Sequence, residues 1–458
     1  MGGKSRILKG ERLKALKLSV EKLIRDSIAI KHNRSRMSLA SIRKGRDSYL
    51  PSRYNKHLTY RIHVERAYNG MIWLGYIDEV IKGASDGIYG KYLTRYRATN
   101  KLINLFTEDE RKVLPVLMKP EDKTELVRIQ VTERVEQGEE KRPAIIKRLV
   151  EYSDNEKTNQ MRKNLEKINK VLSWNWFDLD LEDNEFDAMQ EELKSEKNKD
   201  RGSDPQVNLA NRSLYRVFTD TTFTRGGRFY GGWWQQIPSQ YRGRILINGK
   251  KTVEFDYGGL HPNILYAEVG IEMSDDAYSG ILPLKYRTLV KKAFNAMLNA
   301  KHVLKRPPRD LSLRETGWTW TQLSDAIKEK HQPIQHFFYS DTGTRLQFID
   351  SELAESIMLK FIDYQNPILP VHDSFLVHNG YESALEQYMK DFFRERFDRN
   401  IEVKKQIKME KPLTEFDPNN LSSVFVTKDI EELLHLYNIG HERRLNAFRS
   451  LKKFNKKL

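Results

Sequence analysis

Two aspartates stand at points of the sequence where a rigid backbone would present a carboxylate. Asp256 ends a β-branched and aromatic run, TVEFD, and Tyr257, two glycines and an apolar helical pattern come after it. Asp373 lies at the predicted tight turn of a hairpin in NPILPVHDSFLVHNG, residues 366–380. Taken alone, an aspartate at a strand end is more often a cap or turn residue than a ligand. Two such carboxylates together can hold metal ions that bridge a nucleophile and a leaving group.

A helix-forming segment between the two aspartates supplies cations. In KYRTLVKKAFNAMLNA, residues 285–300, Arg287 and Lys291 are four residues apart and share one helix face. Side chains so placed can grip a polyphosphate together. Carboxylates for metal ions and cations for a triphosphate are what phosphoryl transfer requires. A metal-dependent nuclease, the alternative that uses similar carboxylates, would not need this basic helix face.

Composition and charge point to a polyanionic partner. The 458 residues carry a formal net charge of +16, and residues 1–50 hold 14 basic and 4 acidic side chains. Blocks of this kind attract nucleic acid through counterion release, although a merely solubilising charge run is the alternative. The absence of cysteine excludes thiolate metal sites, a cysteine nucleophile and disulfides. No apolar stretch approaches the ~20 residues of a membrane span, so we expect a soluble, cytoplasmic protein without a membrane partner.

The order of these segments resembles motifs A, B and C of the right-handed nucleic-acid polymerases. The similar group is the superfamily that joins family A DNA polymerases and single-subunit phage-type RNA polymerases. Motif A is like DYGGLHPNIL, motif B like RTLVKKAFNA and motif C like VHDSF. Upstream, the run from FTRGGRFY to QQIP resembles two further family A elements, and RLQFIDSELAES resembles the primer-side helix. The resemblance covers roughly residues 210–400, and its specificity comes from five elements in one order.

The resemblance implies a chemistry and a set of residue roles. Asp256 and Asp373 would bind two Mg²⁺ ions, with Mn²⁺ as an alternative and the Tyr257 carbonyl as an auxiliary ligand. The ions would activate a primer 3′-hydroxyl and hold the phosphates of a nucleoside triphosphate. The nucleotide would be bound by Arg287, Lys291, His261 and Asn295. The aromatic residue to which family A motif B normally continues is missing from the register that runs from Asn295 to Asn299. Primer and template would be contacted by Arg228, Gln347 and His372, whose ordinary structural roles are a salt bridge, a polar helix position and a turn cap.

The fold class implied by the resemblance is α+β. It comprises a right-hand palm, an antiparallel sheet backed by helices, with helical fingers and a mainly helical N-terminal module. The segment 58–99 reads as a helix and a two-stranded ribbon, like a winged helix, with Lys91, Arg95 and Arg97 facing a phosphate backbone. The predicted segments are a basic helical arm (1–57), the winged-helix-like module (58–105), a helical, thumb-like connector with an acidic linker (106–204), palm and fingers (205–410) and a basic helical tail (411–458).

The predicted function is template-directed nucleotidyl transfer, more specifically by a DNA polymerase. No paired-carboxylate exonuclease motif precedes motif A, which predicts the absence of proofreading. His261 occupies the position that packs beneath the incoming sugar and is large enough to exclude a 2′-hydroxyl. Ser374, where family A DNA polymerases have Glu, favours the alternative of a single-subunit RNA polymerase or primase. An alternative of another class is a non-catalytic DNA-binding replication protein, and the oligomeric state is left open.

Overall fold

The chain folds as an α+β protein, as the sequence predicts. None of the helices in the described part of the chain combines the length and apolar character needed to cross a bilayer. The computed structural model describes residues 9–32, 39–42, 52–54, 61–82, 85–86, 90–91, 94–108, 110–111, 125–135, 144–181, 185–186, 188–189, 191–193, 207, 211–308 and 310–406. The predicted basic tail, 411–458, lies outside these residues.

An N-terminal unit has a hydrophobic core of its own, which contains Leu23, Tyr68, Met71 and Tyr96. Its sheet has the antiparallel order β1-β5-β2, and a separate ribbon pairs β3 with β4. The elements are α1 Gly10–His32, β1 Ala40–Ile42, α2 Arg61–Trp73, β2 Ile77–Ile81, β3 Ser85–Asp86, β4 Gly90–Lys91, β5 Thr94–Ala98 and α3 Asn100–Ile103.

The structure divides this region differently from the predicted boundary at residue 57. β1 pairs with β5, and α1 contributes Leu23 to the core it shares with α2. Helix α1 and strand β1 of the predicted arm therefore fold together with the winged-helix-like module, because the buried face of α1 needs α2 and the sheet to cover it. A helix followed by a ribbon of β2 and β5 is present, and Arg95 and Arg97 lie on its exposed face, Arg97 3.7 Å from Asp78. Lys91 belongs to β4.

A larger C-terminal unit, residues 125–406, is built around a second core. One of its sheets has the order β10-β9-β6-β7, in which β6 and β9 are parallel. The other has the order β13-β14-β12-β11-β8, and β15 also pairs with β12. The elements are β6 Val127–Val135, β7 Ala144–Val150, α4 Glu156–Trp174, β8 Phe177–Leu179, β9 Arg212–Phe218, β10 Gly226–Gly232, β11 Ile245–Ile247, β12 Lys250–Tyr257, α5 Leu260–Glu268, α6 Arg287–Asn299, α7 Trp320–Lys330, α8 Thr342–Asp363, β13 Leu369–Val371, β14 Ser374–His378, α9 Glu382–Phe397 and β15 Val403–Gln406.

Residues 106–204 correct the prediction of a helical connector. They contain strands β6, β7 and β8 as well as helix α4. β6 reads VRIQVTERV, in which buried Val127 and Ile129 alternate with polar residues at the period of a strand. This segment completes the sheets of the C-terminal unit, so 106–204 and 205–410 share one core instead of forming separate domains.

A fully buried arginine fastens helix α8 to the four-stranded sheet. Arg216 on β9 donates hydrogen bonds to Glu355 Oε2 and Ser351 Oγ, both at 2.8 Å, and to Glu352 Oε1 at 2.9 Å. Its guanidinium carbon lies 5.1 Å from the ring centroids of both Phe218 and Phe229. A buried charge costs several kcal/mol of desolvation unless it is paired and hydrogen-bonded, as it is here.

We expect Arg216→Met to lower the free energy of unfolding by about 3–5 kcal/mol, because Glu355 would be left buried without its cation. The matched control is Arg148→Met on β7, whose ion pair with Glu133 is exposed and should contribute about 0–1 kcal/mol. Urea unfolding followed by tryptophan fluorescence measures both. Equal losses in the two variants would contradict the anchoring role of Arg216.

Candidate active site

The two aspartates are brought together by the pairing of β12 with β14. Asp256 pairs with Ser374, the residue that directly follows Asp373. The predicted hairpin is confirmed: β13 and β14 are joined by the two residues His372 and Asp373, and His372 has a positive φ of 60°. A non-glycine residue in the left-handed region is uncommon and is found at functional turns. The turn therefore holds Asp373 next to the end of β12.

Asp256 combines burial with an unsatisfied acceptor atom. Its Oδ1 is buried and, within the described residues, has no hydrogen-bond partner. Burial raises the pKa of Asp256 to about 7, the negative charge of Asp373 adds to the rise, and Lys291 opposes it. An acceptor that is both buried and unpaired is costly unless a cation neutralises it.

A divalent cation fits these groups. The described residues contain no cluster of three or more His, Cys, Asp or Glu side chains that could enclose a metal ion. Mg²⁺ seldom needs such a cage, because it keeps several waters and is held by one or two carboxylates together with substrate phosphates. Asp256 and Asp373, with the backbone carbonyl of Tyr257, supply that kind of donor set.

A cleft of about 770 Å³ opens beside Asp256 and Tyr257, and Arg287 and Lys291 line it. Tyr278 lies between these cations, its ring centroid 5.2 Å from the Arg287 guanidinium and 5.8 Å from Lys291 Nζ. The cleft thus brings Asp256, at the end of β12, close to the basic face of α6 that the sequence predicts. Asn295, two turns beyond Arg287 on α6, is half-buried and is not among the residues that line the cleft.

The cleft is also lined by charged residues that the sequence patterns did not reveal. Arg287 donates to both carboxylate oxygens of Asp276, Nε to Oδ2 at 2.7 Å and one terminal nitrogen to Oδ1 at 2.6 Å. This ion pair holds the pKa of Asp276 below its usual range. Lys404 stands opposite Asp256 on β15 and also lines the cleft. Neither residue belongs to a local motif, so spacing along the chain could not identify them.

The loop that carries Asp276 and Tyr278 is held from behind by the end of α7. His331 Nε2 lies 2.8 Å from the carbonyl oxygen of Ala277, and its Nδ1 lies 3.1 Å from the Tyr266 hydroxyl. Because a carbonyl only accepts, Nε2 carries the proton and the hydroxyl donates to Nδ1. Lys330 Nζ adds hydrogen bonds to the carbonyls of Asp276 and Ser279. The cleft wall is therefore a fixed structure.

A second charged group lies on the other side of Asp373. Arg228 Nε donates to Asp350 Oδ2 at 2.7 Å, and a terminal nitrogen of Arg228 lies 3.5 Å from His261 Nε2. Since guanidinium only donates, Nε2 accepts and the His261 proton is on Nδ1. Burial lowers the pKa of His261 to about 4, and it raises the pKa of Asp350 to about 6 against the opposing effect of Arg228.

The remaining predicted contacts are arranged around this group. His372 is exposed, and its ring centroid lies 6.0 Å from that of Tyr230. Gln347 is half-buried on α8, one turn before Asp350. Asp350 was missed because a lone aspartate within a helix has no distinguishing sequence pattern. The predicted nucleic-acid contacts Lys91, Arg95 and Arg97 lie in the N-terminal unit and do not line the cleft.

Comparison with known proteins adds little to this geometry. No protein-family model and no curated protein matches the chain. Among solved structures, the chain is similar to the POL domain of Pol1 from M. smegmatis, in a complex with DNA primer-template and dNTP. The TM-score is 0.30 and the identity 13%, over 43% of this chain and 47% of the other. The match spans less than half of that domain.

We expect Asp256→Asn to raise the free energy of unfolding at pH 8 in EDTA by about 1–3 kcal/mol, because it removes a buried charge beside Asp373. The advantage should shrink at pH 5.5. The pKa of Asp256 is raised to about 7 in the folded state, so below pH 7 folded wild type binds a proton that the unfolded chain does not bind. This proton uptake stabilises folded wild type at pH 5.5, and the variant, which lacks the carboxylate, cannot gain the same stability.

Urea unfolding at both pH values measures this difference. The exposed Asp363, at the end of α8, supplies the control Asp363→Asn, which should match wild type at both pH values. An Asp256→Asn protein that is less stable than wild type at pH 8 would contradict the electrostatic account of the site.

Proposed function

We propose that the chain is a template-directed nucleotidyltransferase that extends a 3′-hydroxyl, and more specifically a DNA polymerase without proofreading. The observation that supports this most is the pairing of Asp256 with Ser374, which sets a buried, unpaired carboxylate oxygen beside Asp373, and Asp256 also lines a cleft that contains the cations Arg287, Lys291 and Lys404. The sheet around β12 and β14, backed by α8 and α9, would be the palm, and α6 with α7 the fingers.

Asp256 and Asp373 would hold two Mg²⁺ ions, with Mn²⁺ as an alternative and the Tyr257 carbonyl as a further ligand. Bound ions would lower the pKa of the 3′-hydroxyl and neutralise charge on the transferred phosphate. The proposal is supported by the raised pKa of Asp256, about 7, because a group with that property is poised to exchange a proton for a cation. The carboxylates themselves would position the hydroxyl and the phosphate for in-line attack.

The triphosphate would occupy the cleft beside α6. Its volume, about 770 Å³, is within the range of small-molecule sites. Lys291 would contact the phosphates directly, and Arg287 would do so by exchanging the Asp276 carboxylate for a phosphate, since both offer paired oxygen acceptors to a guanidinium. Asn295 would lie farther along the same helix, near the base.

The growing strand and its template would approach from the side of Asp373. Arg228 is held by Asp350 and directed toward Asp373, so it is fixed before any strand binds. His372 would contact the strand end from the turn, and Gln347 would contact the duplex one helical turn before Asp350. Arg95 and Arg97, with Lys91, would dock the N-terminal unit on a phosphate backbone.

The decisive experiment is primer extension on DNA and RNA templates, with dNTPs and NTPs offered separately. Asp373→Asn should lower the rate of Mg²⁺-dependent extension at least ~100-fold, because it removes charge where the metal ions would be held. Asp363→Asn is the matched control and should extend at the wild-type rate.

Two other results would reject the proposal. Binding of nucleic acid without extension by the wild-type protein would favour the non-catalytic replication protein. Cleavage of the primer without extension would favour a nuclease. An active Asp373→Asn enzyme would show that the Asp373 carboxylate is not needed to hold the metal ions.

A single-subunit RNA polymerase or primase is the second candidate, favoured by Ser374 in the motif C position. Ser374 Oγ donates to Glu254 Oε1 at 2.8 Å, and Glu254 also pairs with Arg242, so the serine hydroxyl is engaged within the sheet and would not contact a substrate. His261 would lie at the sugar position if the resemblance to motif A holds. Its Nε2 lies 3.5 Å from a terminal nitrogen of Arg228, which would compete with a 2′-hydroxyl for that ring nitrogen.

We therefore expect the neutral His261 ring to exclude the 2′-hydroxyl sterically. His261→Ala should admit NTPs, with NTP use rising about tenfold or more relative to dNTPs, while dNTP extension changes little. Single-nucleotide incorporation with dATP and ATP measures the ratio. The exposed His336 supplies the control His336→Ala, which should leave the ratio unchanged. Efficient NTP use by the wild type would favour the RNA polymerase or primase.

A further inference from the structure

One face of the four-stranded sheet β10-β9-β6-β7 is open. Strand alternation places Val127, Leu214 and Phe229 on the face buried in the core. The paired residues Tyr230 and Tyr215 stand on the opposite face, which is partly exposed. This surface, defined by the outward positions of the four strands around these two tyrosines, is called the open face below.

The open face carries cations and aromatic rings. Among its outward strand positions with described side chains, Arg128 and Lys147 are charged, and Arg228 at the edge is turned toward Asp350. The other outward positions with described side chains hold Gln, Thr, Leu, Ser, Val and Tyr residues, so they contribute no carboxylate. A basic surface of this composition is complementary to a polyanion.

The rings form a row that ends at the candidate active site. The Tyr230 ring centroid lies 6.0 Å from that of His372 and 6.4 Å from that of Tyr215. The Arg128 guanidinium carbon lies 3.6 Å from the Tyr215 ring centroid. Tyr230 is 36% exposed. The row therefore runs from the middle of the sheet to the residue that precedes Asp373.

The Tyr215 ring is held in place before any ligand binds. Gly231 has φ of 111°, and a Cβ there would lie 2.4 Å from the Ser213 carbonyl oxygen and 2.9 Å from Tyr215 Cε1. Only glycine fits, and its absence of a side chain lets the Tyr215 ring pack down on β10. A ring held in this way loses little conformational entropy when it contacts a ligand.

We propose that the open face binds single-stranded nucleic acid, with bases stacked on Tyr230 and on the layered Tyr215–Arg128 pair, and guides the strand toward His372 and Asp373. Aromatic rings and arginine planes stack unpaired bases without regard to sequence, and cations beside them hold the phosphates. A duplex would not expose its base faces to these rings, which is why a single strand is the fitting partner. The inference goes beyond the proposed function and rests on it only for the direction of the strand.

The test measures binding of a fluorescein-labelled twelve-nucleotide oligo-dT by fluorescence anisotropy, in EDTA so that no chemistry occurs. Tyr230→Leu should weaken binding about tenfold or more without changing the salt dependence, because stacking carries no charge. Tyr230→Phe, which keeps the ring, should remain within about twofold of wild type. Arg128→Gln should weaken binding and reduce the slope of log K against log salt by about 0.7, as one lost phosphate contact predicts.

Matched controls lie elsewhere in the C-terminal unit. Tyr364 is exposed at the end of α8, and Arg396 stacks on Phe397 within α9. Tyr364→Leu and Arg396→Gln should both bind oligo-dT like wild type. Thermal unfolding of each variant establishes that it is folded, and Arg128→Gln tests the same surface independently of Tyr230.

The proposal is overturned if Tyr230→Leu and Arg128→Gln bind oligo-dT like wild type. It is also overturned if a twelve-base-pair duplex binds as tightly as the single strand and depends equally on Tyr230. Failure of the proposed function would look different. A protein whose oligo-dT binding depends on Tyr230, but which extends no primer, would retain the open face as a single-strand site and lose the polymerase assignment.

Discussion

The register between β12 and β14 is the constraint from which the rest of the site follows. It sets Asp256 opposite Ser374 and hence beside Asp373. A slip of one residue would exchange the two faces of β12 and bury Asp256 where Phe255 and Tyr257 now pack. That slip is opposed on the far face, where the Tyr257 hydroxyl donates to the Met389 carbonyl at 2.8 Å and the Phe255 side chain is buried. The helical backing of the sheet thus defines the position of a carboxylate on its other face.

The site concentrates charges that would destabilise an ordinary protein interior. Burial raises the pKa values of Asp256 and Asp350 to about 7 and about 6, and the charge of Asp373 adds to both rises. Such arrangements are typical of functional sites, where the groups are poised for a ligand at a cost in stability. The buried Arg216 binds Glu352 and Glu355 and so holds α8 against the four-stranded sheet. This anchoring offsets part of the stability that the buried carboxylates cost.

The Arg287–Asp276 pair and the open face give the site two distinct approaches. The cleft side presents Arg287, Lys291 and Lys404 among five carboxylates, and Arg287 is paired with one of them, Asp276. The sheet side presents a row of rings that ends at His372. A small anionic ligand in the cleft would lie beside Asp256, and a polymer on the open face would reach His372 and Asp373.

Local sequence was sufficient for the elements that carry the chemistry. The strand ending at Asp256, the hairpin around Asp373 and the helix with Arg287 and Lys291 each have a complete signal within about fifteen residues, because strand period, turn residues and helix period are local properties. The strands β6 and β7 were missed even though β6 alternates, since mixed charges obscured its period.

Tertiary structure alone decided which groups meet. Asp276 is 11 residues from Arg287 along the chain, and Asp350 is 122 residues from Arg228. β1 pairs with β5 across the boundary that the sequence had predicted at residue 57. Contacts between distant segments depend on how sheets and helices pack, and no single segment contains that information. The charge states of Asp256 and His261 are decided in the same way, because burial and neighbouring charges exist only once the chain is folded.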